Sequence, residues 1–163
     1  MGRLRILGID PGTHCGWAIV ECDDTGPEPR LVVCGTLLLN ESRFSGAGMR
    51  FLRLKRALME ILTEEEIDAV GFEEVRRHRG TAAAHVYGGI VATIQTVCEE
   101  LSIPYDGIPV GTVKRSATGK GNASKEMMLD AARTRLGAET DDFDSADACW
   151  VAFALADQLR IVN

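Results

Sequence analysis

"LRILGIDPGTHCGWAIV", residues 4–20, sets two apolar runs on either side of a turn. The first, Leu4 to Ile9, is apolar on both faces apart from Arg5, the pattern of a central strand covered above and below. It ends in Asp10, and the following Pro11-Gly12 favours a turn. Trp17 to Val20 is apolar again. Asp starts turns well, so Asp10 can be read simply as the solvent edge of the strand. Alternatively, a lone carboxylate closing a buried strand holds something cationic. The stretch alone leaves both readings open.

The bulk of the chain narrows the classes. Its 163 residues suffice for one domain, 1–163, with a sizeable core. An apolar fraction of 45% with 26% charged residues is that of an ordinary globular protein, which excludes collagen-like and disordered classes. No apolar run reaches membrane-spanning length and no signal-like segment opens the chain, so a cytoplasmic protein without a membrane partner is expected. Cys15, Cys22, Cys34, Cys98 and Cys149 are scattered with no CxxC pair, which points to reduced thiols and not to a disulfide frame or a zinc site. A net charge of −6 argues mildly against nucleic acid. Base nevertheless gathers at "RFLRLKR" (50–56), "RRHR" (76–79) and "KRSATGKGNASK" (114–125), so a basic face on an acidic protein is open to it.

Periodicity supplies the layout. After the loop "DDTGPEPR" (23–30), a third strand over Leu31 to Leu39 completes a three-strand meander. Phe51, Leu54, Leu58, Ile61 and Leu62 recur at helical spacing within residues 46–66. "IDAVGFEEV" (67–75) is a fourth strand, and an Ala-rich helix spans 81–101. A short fifth strand lies within "IPYDGIP", followed by a Lys-Gly loop. A helix over 123–137 is closed by Gly137, and a last, apolar helix begins near 143. Three strands followed by alternating helices and strands predict an α/β fold, a mixed five-stranded sheet flanked by helices.

Acids recur at the edges of these elements. Asp144 and Asp147, three apart on the last helix, share one face. Acids there also suit a helix N-terminus, and Asp141, Asp142 or Asp144 could be its cap. Glu73 and Glu74 end the fourth strand, and periodicity does not separate them. Ligands of open α/β sheets gather at the carboxyl ends of strands. Four carboxylates meeting there would repel and resist ionisation. Mg²⁺ or Mn²⁺ would resolve the conflict, and two such ions about 4 Å apart can clamp both the attacking and the leaving oxygen of a phosphodiester.

"GIDPGTHCGWAI", "GFEEV", "VGTVKRSATGKGNASKE" and "DSADACWVAFA" occur in the order that resembles RuvC-type Holliday-junction resolvases, bacterial and phage-type alike, of the RNase H-like superfamily. The resemblance runs from Ile6 to Ala156. It implies an RNase H-like fold and an endodeoxyribonuclease that resolves four-way DNA junctions by paired symmetric nicks, leaving 5′-phosphate ends. Two Mg²⁺ ions per site, replaceable by Mn²⁺, would be held by Asp10, Glu73, Asp144 and Asp147. The family position favours Glu73 over Glu74. Symmetric cutting implies a homodimer, for which helix 81–101 with Gly88-Gly89 is the candidate interface.

The basic segments fit a DNA partner. Lys114 and Lys125 flank a loop whose Gly119 and Gly121 let backbone approach an anion. Ser124 or Asn122 could cap the next helix, where Lys125 opposes the macrodipole unless a phosphate sits there. The resemblance gives Lys125 a catalytic place at the scissile phosphate and Lys114 a place on junction DNA. Arg115 and Lys120 would add phosphate contacts. Many resolvases carry an aromatic wedge after the strand-four Glu. Here Arg76, Arg77, His78 and Arg79 stand in that stretch as DNA-binding candidates.

Rival readings use the same residues. "GIDPGT" also resembles the phosphate-binding hairpin of actin-like ATPases, but those pair two such domains and this chain has one hairpin. A flap or RNA–DNA hybrid nuclease of the same fold would keep the metal chemistry. A noncatalytic branched-DNA-binding module would have no use for the acids.

Overall fold

The computed structural model describes residues 2–23, 26, 28–40 and 42–162. β1 (Arg3–Asp10), β2 (His14–Asp23) and β3 (Arg30–Leu38) form the antiparallel meander. β4 (Ala69–Glu74) pairs in parallel with β1, and β5 (Tyr105–Pro109) in parallel with β4, giving the order β3-β2-β1-β4-β5. Part of the loop expected over 23–30, namely Asp24, Thr25 and Pro27, lies outside the described residues.

Alternation along the strands sorts two cores. Leu7, Ile9, Ile19, Val70 and Phe72 face α1 (Met49–Glu64) and α2 (Thr81–Leu101). Ile6, Val20, Ala69 and Ile108 face α3 (Val110–Thr118), α4 (Lys125–Leu136) and α5 (Phe143–Val162). α5 lies against the sheet unusually closely because that face carries glycine where it crosses. A Cβ on Gly8 would stand 2.3 Å from the Ala152 nitrogen and 2.4 Å from the Ala148 oxygen. On Gly16 it would stand 1.9 Å from the Asp144 carbonyl oxygen. Gly16 pairs with Asp10 across the β1–β2 ladder, so this contact sets the first turn of α5 directly over the end of β1.

Three expectations need correction. β2 runs from His14 to Asp23, beyond both ends of the apolar core Trp17–Val20, because its partners on both sides continue the ladder. α1 starts at Met49, after two glycines that the helical window had included. Lys114 does not stand at the edge of a loop: Val110 to Thr118 is helical, and the Lys-Gly loop shrinks to residues 119–124. Valine, threonine and glycine give this segment little intrinsic helix preference. It is held instead by Val113 and Ala117, one turn apart and buried in the core under α5. Gly119, at φ 76°, ends it. Elsewhere the caps follow the sequence. Ser124 Oγ accepts from the Met127 amide at 3.2 Å, and Gly137 closes α4 at φ 66°.

Trp17 packs against the core beneath α1 and α2, and Trp150 is fully buried, donating from Nε1 to the Met128 carbonyl at 3.1 Å. Trp150 is thereby closed off from DNA, and Trp17 is only partly exposed. Since α5 backbone occupies the space above Gly8, Gly8→Ala is expected to cost about 1–3 kcal/mol of stability by overpacking, read as a lowered urea midpoint.

Candidate metal centre

Strand parity decides which acids meet. Ile6, Gly8 and Asp10 alternate onto the α5 face of β1, and Ala69, Gly71 and Glu73 onto the same face of β4. Glu73 therefore points to the α5 side. Glu74 points away, is 42% exposed, and lies 3.4 Å from Arg76. α5 brings Asp144 and Asp147 from above, one turn apart. Its N-terminus is anchored by Asp142, whose Oδ1 accepts from the Asp144 amide at 3.2 Å and Oδ2 from the Ser145 amide at 3.3 Å. Thr36 Oγ on β3 donates to the same carboxylate, so the cap also ties α5 to the meander. Asp141 is turned outward, paired with Arg133.

Asp10, Glu73, Asp144 and Asp147 line one cleft of about 290 Å³ together with Lys114 and Lys125. The half-buried Lys114 comes from α3 and the exposed Lys125 from the first turn of α4. Arg115 and Lys120 do not line the cleft. Both are exposed, Arg115 donating to Thr112 Oγ at 3.2 Å and Lys120 standing just past the α3 cap. Arg76, Arg77 and Arg79 are exposed beyond β4, while His78 packs on Tyr87 with ring centroids 4.6 Å apart. Sequence reading gave His14 no role, yet it lines the cleft with Nδ1 3.9 Å from Asp144 Oδ2. Its place on the strand that pairs with β1, just past the Pro11-Gly12 turn, was the available signal.

The electrostatics of the cleft are unresolved by the protein itself. Burial raises the Asp10 carboxyl well above its usual range, and Glu73, Asp147 and Asp144 push it further. Burial also raises Glu73, against which Lys114 and Lys125 act in part. Asp147 is pushed up to about 7, by burial and then by Glu73. At the opposite end of the same sheet, an acid is handled differently. Burial would raise Glu21 too, but hydrogen bonds from Arg3 and Arg30 outweigh it and hold its carboxyl below the ordinary value. The cleft has no such arginine partners.

The donor set is carboxylate oxygen with one imidazole at the rim and no free-standing thiolate, which fits hard divalent cations of the Mg²⁺ and Mn²⁺ kind. Among the described residues, no three acidic, histidine or cysteine side chains converge closely enough to cage an ion unaided.

The family profile described as crossover junction endodeoxyribonuclease RuvC matches residues 6–156. The chain belongs to the RuvC family. Two relatives carrying that description are similar along nearly the whole chain. The one from Halorhodospira halophila is 33% identical over 154 residues, covering 93% of this chain and 89% of its own. The one from Gluconobacter oxydans is 32% identical over 162 residues, covering 94% and 90%. The RuvC structure from Thermus thermophilus in complex with a Holliday junction substrate superposes with a TM-score of 0.85 at 26% identity, over 98% of this chain and 96% of that one. The yeast mitochondrial resolvase Ydc2, at 14% identity and a TM-score of 0.67, shares the fold. The RNase H-like architecture expected of a RuvC protein is the one observed. Among the described residues, no helix is long and apolar enough to cross a membrane.

Raised carboxyl values carry a stability consequence. A carboxyl with a folded value above its unfolded value, near 4 for Asp, contributes stability fully present below about pH 4. That contribution is lost as pH rises through the folded value, about 7 for Asp147. The metal-free protein is therefore expected to lose melting temperature between these limits, with a shallower slope in Asp147→Asn. Mg²⁺ or Mn²⁺ should restore more at pH 8 than at pH 5. Differential scanning calorimetry in chelator and in metal checks this.

Proposed function

We propose that this chain, acting as a single nuclease domain over residues 1–163, resolves four-way DNA junctions as a structure-selective, metal-dependent endonuclease. The observation that carries the reading is the cleft in which β1, β4 and α5 bring four carboxylates together without arginine partners, between two lysines. The RuvC relatives named as crossover junction endodeoxyribonucleases support the reaction class. The Thermus complex with a Holliday junction supports the substrate.

Asp10, Glu73, Asp144 and Asp147 would hold two Mg²⁺ ions, with Mn²⁺ able to replace them. Ions held there would supply an activated, deprotonated water for attack on phosphorus and positive charge beside the departing 3′ oxygen, leaving 5′-phosphate ends. Lys125, at the first turn of α4, faces the scissile phosphate and offsets the negative charge that grows on it during attack. Lys114 adds a second cation from α3 and eases ionisation of Glu73. Arg115, Lys120, Arg76, Arg77 and Arg79 hold phosphates further along the arms without reading sequence. His78, packed on Tyr87, sits at the base of the arginine loop and is placed to meet DNA there.

Two symmetric cuts need two sites, so the working form is a homodimer. The exposed side of α2 at Gly88 and Ala92, one turn apart, offers a small-residue surface for it. Among the described residues, all five cysteines are free. A second reading, cleavage of flaps and other branched DNA, is favoured by the arginine loop, which supplies charge where a wedge would supply shape.

The deciding experiment compares an immobile four-way junction, a flap and a linear duplex of matched sequence in Mg²⁺. Paired symmetric nicks confined to the junction are expected. Equal cutting of the flap would give the second reading the field. Asp10→Asn is expected to lower cutting by at least about a thousandfold, through loss of metal-supported attack. Junction affinity should stay within a few-fold, measured by gel shift in Ca²⁺. Lys125→Ala should slow single-turnover cutting by about 10²-fold with a smaller change in affinity.

A further inference from the structure

The carboxyl end of β4 lies where its ladder to β1 has run out. The last β1–β4 pair is Ile9 with Phe72, so beyond it Glu73 loses one flanking strand. β5 still pairs with Glu73 and Glu74, through Ile108 and Pro109. Strand ends with one neighbour twist and fray readily, and a twist of one residue here would exchange Glu73 for Glu74 in the cleft.

A side chain from α2 takes the place of the missing strand. The Tyr87 hydroxyl donates to the Glu73 carbonyl at 3.0 Å and accepts from the Val75 amide at 2.9 Å. One oxygen thus serves as donor and acceptor to the two backbone groups that bracket Glu74, as a neighbouring strand would. The His78 ring packs on the Tyr87 ring at 4.6 Å and a 44° tilt, which holds the phenol in place.

We propose that Tyr87 is a positioning residue for the metal centre: its hydroxyl splices α2 to the end of β4 and keeps Glu73, not Glu74, turned into the cleft. It touches neither DNA nor metal. The inference rests on Glu73 being a metal ligand and adds the device that aims it. Tyr87 is also the point where the arginine loop, through His78, bears on that ligand.

Tyr87→Phe removes the hydroxyl and keeps the ring. Free Mn²⁺, followed by electron paramagnetic resonance without DNA, is expected to show weaker binding by about two- to tenfold, the worth of one or two hydrogen bonds. The Mn²⁺ concentration for half-maximal junction cutting should rise equally, with the maximal rate largely recovered at saturation and junction affinity unchanged. A merely structural role would lower the maximal rate or the melting temperature without moving the metal dependence. In the unaltered protein, the Val75 amide should be protected from hydrogen exchange, and this protection should fall in Tyr87→Phe. Wild-type metal binding in Tyr87→Phe, or an unprotected Val75 amide in the unaltered protein, overturns the proposal. Failure of the unaltered protein to cut junctions would count against the nuclease reading alone, because metal binding and exchange still report on Tyr87.

Discussion

The contact on which the rest of the site depends is the crossing of α5 over Gly8 and Gly16. Backbone meets backbone there, at a distance no side chain could tolerate. Only that approach lets a helix lay two carboxylates beside the ends of β1 and β4. Thr36 and Asp142 hold the helix start in register from the other side. Ala148 and Ala152 of α5 lie over Gly8 for the same reason: a helix this close to the sheet has room there for little more than a methyl group. Gly71, under Val151 and Leu155, continues the accommodation across β4.

The fold therefore concentrates negative charge where burial makes it costly. Glu21, on the same sheet, shows the ordinary solution, a buried acid surrounded by Arg3, Arg5 and Arg30. In the cleft the nearest cations are lysines on α3 and α4, compact charges that ease the repulsion without quenching it. A site left electrostatically open in this way is poised for divalent ions and for a phosphate that brings oxygens of its own. The net charge of −6 includes these four carboxylates, while the segments 76–79 and 114–125 stay basic.

Much of this was legible in the chain. The apolar run ending in Asp10, the two acids three apart on an apolar helix, and the lysines around the Gly loop each state a local rule, and their order carries the family. The choice between Glu73 and Glu74 was also written there, in a subtler form. Ala69, Gly71 and Glu73 alternate with Val70, Phe72 and Glu74, and small residues mark the face that a helix approaches closely. Runs apolar on both sides hide that parity from a hydrophobicity count. α3 was illegible because packing of Val113 and Ala117, not propensity, makes it a helix. Tyr87 was illegible because its hydroxyl meets the end of β4, distant in sequence, and His14 was legible only through its place on β2, since its neighbour Asp144 is distant too.

The reading proposed for these four carboxylates is that they gather divalent ions. Crystals of the protein with junction DNA and Mn²⁺, in the Asp10-intact chain held inactive by a non-hydrolysable scissile linkage, would test it by anomalous scattering. Two manganese peaks are expected in the cleft, ligated among Asp10, Glu73, Asp144 and Asp147, with Glu74 outside. Manganese bound elsewhere, or a cleft filled by a lysine salt-bridged to the acids with no metal present, would contradict it.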